Sequence, residues 1–523
     1  MRLHELTACA MRDGLERGAF TSVELIEALH RRADATEPAI NGFTVQLRAQ
    51  ALEDAARADR ERRQQRVRGP LHGIPLTIKD NIDVAGAPST LGLTDRRGHR
   101  ARQDAVIVRL ARAAGAIVLG KSNVPQALVP MDCENRVFGR TRNPWRATHV
   151  TGGSSGGEAA LIACGASALG IGSDLGGSIR FPAAFCGVAG LKPTTDRWSN
   201  RGLCSPLRGQ EFVRAQIGPM ARSSADLALL LSALPSPAHA RHDPRVAPLP
   251  LGDPAAVDLG TAVVGWYDDD GFMPPAPAMR RALHLARDAL AARGARLVEL
   301  PPPDQREVVA TYLGATSSDG MRSLRRAFAG EAPVAGLRTI WRAGRVPRAV
   351  RRTTGQLLRW LGEDRLGAII QATGARDAAA LWQLAARRQA LRAAEIDRWN
   401  RADIDLLLTP AAASPAVPIG MEHDFAIIFS YFGRYNLFDL PAGVVPTTRV
   451  RASETAGLGH GGDRFARRAR QVAARSEGLP VAVQLVARPW REDVLLAGML
   501  AVEEHARGQA DYPATPVEPA TDG

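Results

Sequence analysis

The feature that most constrains this chain is a glycine- and serine-rich stretch from Thr151 to Phe185. Two clusters, Gly152–Gly157 (GGSSGG) and Gly176–Ser178 (GGS), border a segment of mostly small residues. Because glycine costs conformational entropy on folding, such a density marks a backbone that turns sharply or approaches a ligand closely. A serine hydroxyl in such a turn, beside free backbone N–H groups, supplies the parts of a serine hydrolase. At this point both serine clusters are candidates for the nucleophile.

Length and cysteine content indicate a cytoplasmic globular protein. The 523 residues could hold two or three domains, although large α/β enzymes often use this length as one domain. The N-terminal residues contain no apolar run typical of a signal peptide, and no stretch approaches the roughly 18–20 apolar residues that span a bilayer. Five scattered cysteines without ligand spacing predict reduced thiols and no metal site.

The positive charge of the chain comes almost entirely from arginine. The net charge is +13 and the sequence pI about 10.4, which raises nucleic acid or anionic lipid as partners. No basic run is interleaved with aromatic residues in the way that single-strand binders require, so we expect no nucleic-acid partner. Arginine spread over solvated faces is the simpler interpretation.

Lysine occurs at only three positions, Lys79, Lys121 and Lys192, and the other 64 cationic residues are arginine. Arginine cannot serve as a general base, whereas lysine can once burial lowers its pKa. The residues Pro75–Asp80 indicate a short apolar strand that ends near Lys79. The three lysines are therefore candidates for chemistry, although a strand-end lysine is more often ion-paired than catalytic.

Local patterns along the chain predict alternating helices and strands. Thr21 and Glu24 form a capping box before an amphipathic helix. The pattern favours βα-type units. The predicted elements are strand 116–119, helix 225–234, strand 261–267, helix 277–294, strand 296–300, strand 405–410, strand 479–486 and helix 492–505.

Two internal segments differ in composition from their surroundings. Residues 235–255 are a Pro-rich linker, and residues 318–400 are a helical insertion. Within the insertion, 336–372 combines many arginines with tryptophan and leucine, so it is either a surface insertion or an interfacial cap. We expect one domain over residues 1–508 and a flexible tail over 509–523.

Generic glycine motifs do not explain the stretch. A P-loop requires a lysine after its glycines, and none follows here. The segment Gly170–Gly176 misses the dinucleotide fingerprint by one residue. Residues 152–156 match the nucleophile elbow, but the polar segment 146–151 precedes them where an apolar strand is needed, and the downstream candidates His423, His460 and His505 lie in no suitable context.

The complete pattern resembles the amidase signature family. Its elements are Gly73–Asp80, Gly120–Asn123, Gly152–Glu158, Asp174–Pro182 and Phe185–Thr194, in family order over most of the chain. The branch of enzymes similar to fatty acid amide hydrolase fits best. The residues that carry this likeness are Glu158, Ser178–Pro182, Pro441–Pro446 well before Gly478, Pro489–Trp490 and the helical insertion.

The resemblance implies the amidase signature fold, which is a large, mixed, mostly parallel twisted sheet with helices on both faces. It also implies a Ser–Ser–Lys triad, with Ser178 as nucleophile, Ser154 as the bridging serine on a cis peptide, and Lys79 as base. Neutral Lys79 would take a proton through Ser154 from Ser178, and Ser154 would protonate the leaving amine. No cofactor is implied.

Further roles follow from family position. The backbone N–H groups of Leu175, Gly176, Gly177 and Ser178 would form the oxyanion hole. Supporting residues would be Ser155, Asp174 and Arg180, while Lys121 and Lys192 would be structural. The residues implied to contact substrate are Leu128 near the leaving group, with Val129 and Trp490 near the acyl chain.

The resulting hypothesis is an amidase acting on a small-molecule amide with an apolar acyl or aryl group, with fatty acid amides as one option. The alternatives are the amidase subunit of a tRNA-dependent amidotransferase, and a basic RNA- or membrane-binding protein on an inactive hydrolase scaffold. We expect a cytoplasmic protein, with 336–372 as the candidate for peripheral membrane contact. A homodimer is one option for its oligomeric state.

Overall fold

The computed structural model describes residues 2–303, 305–338, 341, 346–422, 430–459 and 461–520. Within these residues eleven strands form one sheet, and two short strands form a separate hairpin. The strands are β1 (Phe43–Gln46), β2 (Pro75–Lys79), β3 (Ile117–Ser122), β4 (Glu134–Asn135), β5 (Gly139–Arg140), β6 (Leu169–Asp174), β7 (Ala189–Lys192), β8 (Gln216–Ala221), β9 (Val263–Trp266), β10 (Arg296–Glu299), β11 (Leu406–Pro410), β12 (Ala442–Arg449) and β13 (Pro480–Ala487).

The α-helices of the described residues are α1 (Ala8–Glu16), α2 (Ser22–Ile40), α3 (Arg48–Arg63), α4 (Val106–Ala113), α5 (Gly156–Ala163), α6 (Arg180–Cys186), α7 (Ser224–Ala233), α8 (Ser236–Ala240), α9 (Pro277–Ala292), α10 (Gln305–Thr316), α11 (Arg322–Ala327), α12 (Arg348–Trp360), α13 (Asp364–Ala372), α14 (Ala378–Arg401), α15 (Ser430–Leu437), α16 (Arg464–Ala473) and α17 (Glu492–Arg507).

The large sheet is mixed, as expected, but it is not mostly parallel. Its strand order is β1-β3-β2-β6-β8-β7-β12-β13-β11-β9-β10. Among the pairings of the described strands, four are parallel, namely β2 with β3, β2 with β6, β9 with β10 and β9 with β11. The other six are antiparallel. The expectation of mostly parallel strands is therefore corrected.

The reason is that two later strands insert between strands that a helix connects. Helix α6 links β6 to β7, yet β8 lies between them and runs antiparallel to both. In the same way β13 lies between β11 and β12. The alternation of helix and strand along the chain predicts parallel neighbours. It does not reveal that a later strand inserts between two such strands in the opposite direction, because this insertion leaves no local sequence pattern.

Helices cover both faces of the sheet. Leu406 and Leu408 of β11 belong to one buried hydrophobic cluster, and Leu407 between them belongs to another. Because successive strand residues point to opposite faces, these clusters lie on opposite sides of the sheet. The first cluster includes residues of α9 and α17, and the second includes residues of α10, α14 and α15. The two-sided arrangement expected from the family resemblance is confirmed.

Several local predictions agree with the structure. Thr21 and Glu24 form the capping box at the start of α2, since each side chain accepts a hydrogen bond from the backbone N–H of the other. The strand that ends at Lys79 is β2, and all five of its residues are buried. The predicted strands and helices after residue 260 match β9, α9, β10, β11, β13 and α17 to within a few residues.

The insertion is helical in its described part, where it contains α11, α12, α13 and most of α14. Residues 339–340 and 342–345, which belong to the predicted 336–372 segment, lie outside the described residues, as do His423 and His460. Among the described helices, none is both long and apolar enough to cross a membrane.

The C-terminal segment is docked up to residue 520 instead of forming a flexible tail. Val517 N–H donates to the Ala163 carbonyl at 2.8 Å, and Ala520 N–H donates to the Pro144 carbonyl at 2.9 Å. Arg32 forms an ion pair with Glu518 at 2.7 Å. A chain terminus is expected to fray, but these long-range contacts hold the segment against the domain.

Candidate active site

Lys79 lies at the carboxyl end of β2, between the parallel neighbours β3 and β6. Its side chain is fully buried. Its Nζ donates to Ser154 Oγ at 2.7 Å, to Ser173 Oγ at 3.0 Å and to the Ser173 carbonyl at 3.1 Å. Burial lowers the pKa of Lys79 to about 7, against the opposing effect of the Asp174 carboxylate. A lysine with this pKa is partly neutral at physiological pH and can accept a proton.

Ser154 lies in the loop that leads into α5, and the peptide bond between Gly153 and Ser154 is cis. The loop packs tightly against a neighbouring segment, since a Cβ on Gly153 would lie 2.4 Å from the Pro130 carbonyl oxygen. Glycine is therefore needed at that position for steric reasons. The Ser154 side chain is nearly buried, and its hydroxyl oxygen accepts the hydrogen bond from Lys79.

Ser178 lies in the turn between β6 and α6, and its side chain is partly exposed. Its carbonyl oxygen accepts a hydrogen bond from Ser155 N–H at 3.0 Å, so the two serine clusters of the sequence are adjacent in space. Within the described residues no hydrogen bond joins Ser154 Oγ to Ser178 Oγ. The structure thus brings Lys79 and Ser154 into direct contact, and it places the backbone of Ser178 beside them.

Asp174 and Arg180 form a fully buried ion pair on either side of the Ser178 turn, with 3.0 Å between Arg180 Nε and Asp174 Oδ2. The Asp174 carboxylate also accepts hydrogen bonds from Gly177 N–H at 2.7 Å and from Asn436 Nδ2 at 2.9 Å. Burial opposes ionisation of Asp174, but the charge and hydrogen bonds of Arg180 hold the pKa of that carboxyl below its ordinary value. The pair and its hydrogen bonds link the two ends of the turn, and the supporting role of Asp174 and Arg180 stays a prediction.

Arg180 extends this network to two other elements. Its guanidinium donates to Gln484 Oε1 of β13 at 2.7 Å, to Asn436 Oδ1 of α15 at 2.6 Å and to the Phe432 carbonyl of α15 at 3.3 Å. Each guanidinium nitrogen of this buried cation donates to an acceptor within the fold. Such complete satisfaction is what a buried charge needs to avoid a large desolvation penalty.

The expected oxyanion-hole donors are not equivalent. Gly177 N–H donates to Asp174 Oδ1 and is therefore occupied. The N–H groups of Leu175, Gly176 and Ser178 have no acceptor among the described residues. These three remain available for the oxygen of a bound carbonyl group, as the chemistry of an oxyanion hole requires.

Ser155 and the three residues implied to contact substrate have different surroundings. Ser155 is buried and its Oγ approaches the Ser173 carbonyl at 3.5 Å. Leu128 and Val129 pack with residues of the insertion in a separate hydrophobic cluster. Trp490 lies beneath the Arg197 guanidinium, 5.3 Å from its ring centroid. Among the described residues, no contact of Trp490 with the Ser178 turn is seen.

Lys121 and Lys192 each form hydrogen bonds inside the fold, and their structural role stays a prediction. Both are fully buried. Lys121 Nζ donates to the Pro88 carbonyl at 2.6 Å and to Ser89 Oγ at 2.9 Å. Lys192 Nζ donates to the Pro193 carbonyl at 2.9 Å. Neither contacts the serine relay.

Sequence reasoning missed Ser173 and Glu158 as neighbours of Lys79. Ser173 immediately precedes Asp174 and contacts Lys79 directly, and Asn81 Nδ2 donates to its hydroxyl at 3.3 Å. The buried Glu158 carboxyl accepts from Thr77 Oγ1 at 2.5 Å and from Ser122 Oγ at 2.8 Å. Burial raises the pKa of Glu158 to about 7. Two hydroxyl residues on strands β2 and β3 were the available sign of a buried polar layer below Lys79.

Asn436 and Tyr312 were also missed, because they lie far from the serine clusters in the sequence. Asn436 donates to the Asp174 carbonyl at 3.3 Å, and Tyr312 Oη donates to the Leu175 carbonyl at 3.1 Å. No local pattern marks either residue. In the part of the chain that the structure describes, no group of three or more His, Cys, Asp or Glu side chains is arranged to hold a metal ion.

The site therefore combines a buried lysine, two hydroxyl groups that are hydrogen-bonded to it, and backbone N–H groups without an acceptor among the described residues. A family model described as Amidase matches residues 24–496, which includes all the site residues described above. The chain therefore belongs to the amidase signature family and is an amide hydrolase of that family.

Named relatives sharpen this placement. Fatty-acid amide hydrolase 1 of Sus scrofa is 40% identical over 442 residues, which cover 83% of this chain and 76% of the relative. A glutamyl-tRNA(Gln) amidotransferase subunit of Chloroflexus aggregans (strain MD-66 / DSM 9485) is 33% identical over 513 residues, covering 94% of this chain and 95% of the relative. A solved structure of fatty acid amide hydrolase superposes with a TM-score of 0.83 at 26% identity, covering 96% of this chain and 85% of that chain. The likeness to fatty acid amide hydrolase is confirmed.

Proposed function

We propose that this amidase hydrolyses a small-molecule amide with an apolar acyl or aryl group, through an acyl-enzyme on Ser178. The observation that carries the proposal is the 2.7 Å hydrogen bond from the buried Lys79 to Ser154, beside the braced Ser178 turn. The three unoccupied N–H groups of Leu175, Gly176 and Ser178 support it further. Each of these features serves acyl transfer.

The reaction proceeds in two steps. Neutral Lys79 accepts a proton from Ser154 while Ser154 accepts the proton of Ser178, and Ser178 Oγ bonds to the carbonyl carbon. The oxyanion that forms is held by the backbone N–H groups. Ser154 then donates a proton to the nitrogen and regains one from Lys79, so the C–N bond breaks and the amine leaves. Water attacks the resulting ester, releases the acid and restores Ser178.

An apolar substrate is supported by the surroundings of Leu128 and Val129. These side chains pack with Leu324 and Phe328 of the insertion, and the Phe328 ring lies 4.7 Å from the Trp341 ring. This cluster forms an apolar wall between the insertion and the core. Acyl chains and aryl groups bind surfaces of this kind by the hydrophobic effect.

The experiment combines covalent labelling with turnover. We expect a fluorophosphonate probe to label the wild-type protein and a panel of acyl and aryl amides to be hydrolysed. Ser178→Ala abolishes both signals, whereas the matched control Ser232→Ala, which removes a hydroxyl bonded to the Leu229 carbonyl in α7, leaves both unchanged. Labelling that persists in Ser178→Ala contradicts the assignment of the nucleophile.

The amidotransferase function is the second candidate, because the relative from Chloroflexus aggregans is matched over 95% of its own length. In that case the substrate would be glutamine and the released ammonia would pass to a partner protein. Glutaminase activity that exceeds turnover of apolar amides, together with copurification of a large partner, would favour this candidate over the first.

We also infer that the α12–α13 hairpin makes peripheral contact with a membrane surface. Its exposed apolar side chains are Val350, Leu357, Trp360 and Leu361, and Trp360 is 83% exposed. Exposed Arg352 and Arg359 lie on the same helix and suit anionic headgroups. A cytoplasmic protein with this surface would bind the membrane reversibly.

Cosedimentation with anionic liposomes at low salt tests this contact. We expect binding that decreases as salt rises, because the arginine contribution is screened. A homodimer that buries the same face is the competing outcome. It would appear as a dimer in sedimentation analysis without liposomes, and as an absence of liposome binding.

A further inference from the structure

The Ser178 turn, defined as residues 174–178, has a hydrogen-bond partner at each of its peptide units. The Asp174 carbonyl accepts from Asn436 Nδ2, and the Leu175 carbonyl accepts from Tyr312 Oη. Gly177 N–H donates to Asp174 Oδ1, and the Gly177 carbonyl accepts from Phe181 N–H at 2.6 Å. The Ser178 carbonyl accepts from Ser155 N–H at 3.0 Å. The orientation of each peptide plane is therefore set by a specific partner.

Tyr312 is the partner that binds the peptide unit between Leu175 and Gly176. It lies on α10, the helix that precedes the insertion, and its Oη donates to the Leu175 carbonyl at 3.1 Å. That carbonyl and the Gly176 N–H belong to the same planar peptide unit. A hydrogen bond to the carbonyl thus determines the direction of an N–H that is free to bind the oxyanion.

Helix α10 is fixed on the face that carries Tyr312. Gln305 lies seven residues earlier and hence on the same face. Its amide donates to the Ser430 carbonyl at 2.6 Å, and its Oε1 accepts from Arg434 at 3.0 Å. Val308 and Val309, between them, are buried in the adjoining cluster. The hydroxyl is therefore presented by a rigid element, as the precise placement of an oxyanion donor requires.

The close approach of Tyr312 depends on a glycine. A Cβ on Gly176 would lie 2.3 Å from the Tyr312 hydroxyl oxygen. An alanine at this position would displace the tyrosine. The glycine thus allows the hydroxyl to reach the neighbouring carbonyl.

We propose that Tyr312 is a positioning residue for amide hydrolysis, whose hydroxyl orients the Leu175–Gly176 peptide so that Gly176 N–H points at the oxyanion. This inference rests on the proposed function. A donor held in place before the reaction stabilises developing charge without reorganisation, and loss of one such donor typically costs about 100-fold or more in kcat. Loss of its orientation alone should cost less than loss of the donor.

The test is Tyr312→Phe, which removes only the hydroxyl. We expect kcat to fall about 10- to 100-fold while KM stays within about threefold, because the donor acts mainly in the transition state. The pH midpoint of kcat/KM should not change, since Tyr312 does not contact Lys79. The rate of fluorophosphonate labelling of Ser178 should fall in parallel with kcat.

Tyr431→Phe is the matched control. Tyr431 is also buried and its Oη donates to a backbone carbonyl, that of Met273, at 2.8 Å. We expect a comparable loss of thermal stability in the two variants, with kcat unchanged in Tyr431→Phe. A wild-type kcat in Tyr312→Phe overturns the inference, as does an equal kcat loss in the control.

A double-mutant cycle gives a second measurement, which compares the kcat values of the variants with one another and so does not require each variant to be as stable as the wild type. Gly176→Ala should itself lower kcat. The double variant with Tyr312→Phe should have about the same kcat as the less active of the two single variants, because both changes disturb one interaction. Losses that multiply contradict the inference. If the wild-type protein neither hydrolyses amides nor takes up the probe, the proposed function fails and this inference fails with it. An active wild type with an unchanged Tyr312→Phe rejects only the inference.

Discussion

The Ser178 turn and the α12–α13 hairpin are stabilised in opposite ways. In the turn, Asp174 and Arg180 are fully buried, and every charge and peptide unit has a specific partner. In the hairpin, Trp360 and Leu361 are 83% and 60% exposed. A change in the turn therefore leaves a buried group without its partner, which is costly. A change on the exposed face of the hairpin removes little, and selection there would act through what the face binds.

The largest expected effect is on Lys79. Lys79→Met keeps a buried side chain of similar length but removes the base, so we expect amide turnover to fall about 100- to 10,000-fold. In the wild type only the neutral amine accepts a proton, and its pKa is about 7. The measured kcat/KM should therefore rise with pH and level off above a midpoint near 7. A flat pH profile between pH 5 and about 9 would contradict this role.

The same variant should be more stable than the wild type. The folded-state pKa of Lys79 lies below the ordinary lysine value of 10.5, so the charged form is disfavoured by folding. This destabilisation is fully present below pH 7 and disappears as the pH rises from about 7 to about 10.5. Chemical denaturation at several pH values should show an advantage of Lys79→Met that shrinks over that range.

The next largest effect is expected for Asp174→Asn. The change preserves shape but leaves the Arg180 charge buried and unpaired, so we expect a loss of about 3–5 kcal/mol in the free energy of unfolding. Turnover should fall at least about 100-fold, because one of the two oxygens that accept hydrogen bonds from Arg180 and from the turn becomes an NH2 donor. Asp364→Asn, an exposed position in the first turn of α13, is the control and should change stability by less than about 0.5 kcal/mol.

A smaller effect is expected for Ser173→Ala. The hydroxyl contacts Lys79 Nζ at 3.0 Å, while the Ser173 carbonyl retains its own contact with Lys79. Half of this support therefore survives, and we expect kcat to fall about tenfold, the equivalent of about 1.4 kcal/mol. Steady-state kinetics beside Ser232→Ala would measure it. A kcat equal to that of the control would show that the carbonyl alone orients the base.

The smallest effect is expected in the hairpin. Trp360→Ser removes a side chain that is mostly in solvent, so turnover of a water-soluble amide should stay within about twofold and stability within about 0.5 kcal/mol. Liposome binding should nevertheless weaken. If turnover of the water-soluble amide fell as strongly as in the Lys79 and Asp174 variants, the contrast between the Ser178 turn and the hairpin would be wrong.

Much of the catalytic arrangement could be predicted from the sequence, because motifs and spacing carry it. Lys79 is one of three lysines and lies at the end of a buried strand, where burial lowers its pKa. Glycines around Ser154 and Ser178 marked the two sharp turns. These features act over a few residues, so the chain itself reveals them. The roles of Ser178 as nucleophile and Ser154 as relay, and the substrate contacts of Leu128, Val129 and Trp490, stay predictions.

What only the tertiary structure decided is how the turn is supported and how the sheet is ordered. Tyr312 and Asn436 contact the turn across 137 and 262 residues of sequence. Strands β8 and β13 insert between strands that a helix connects, and the segment up to residue 520 docks against the domain. The physical reason is the same in each case. Such contacts depend on how distant elements pack, and local propensity and motif spacing contain no information about that packing.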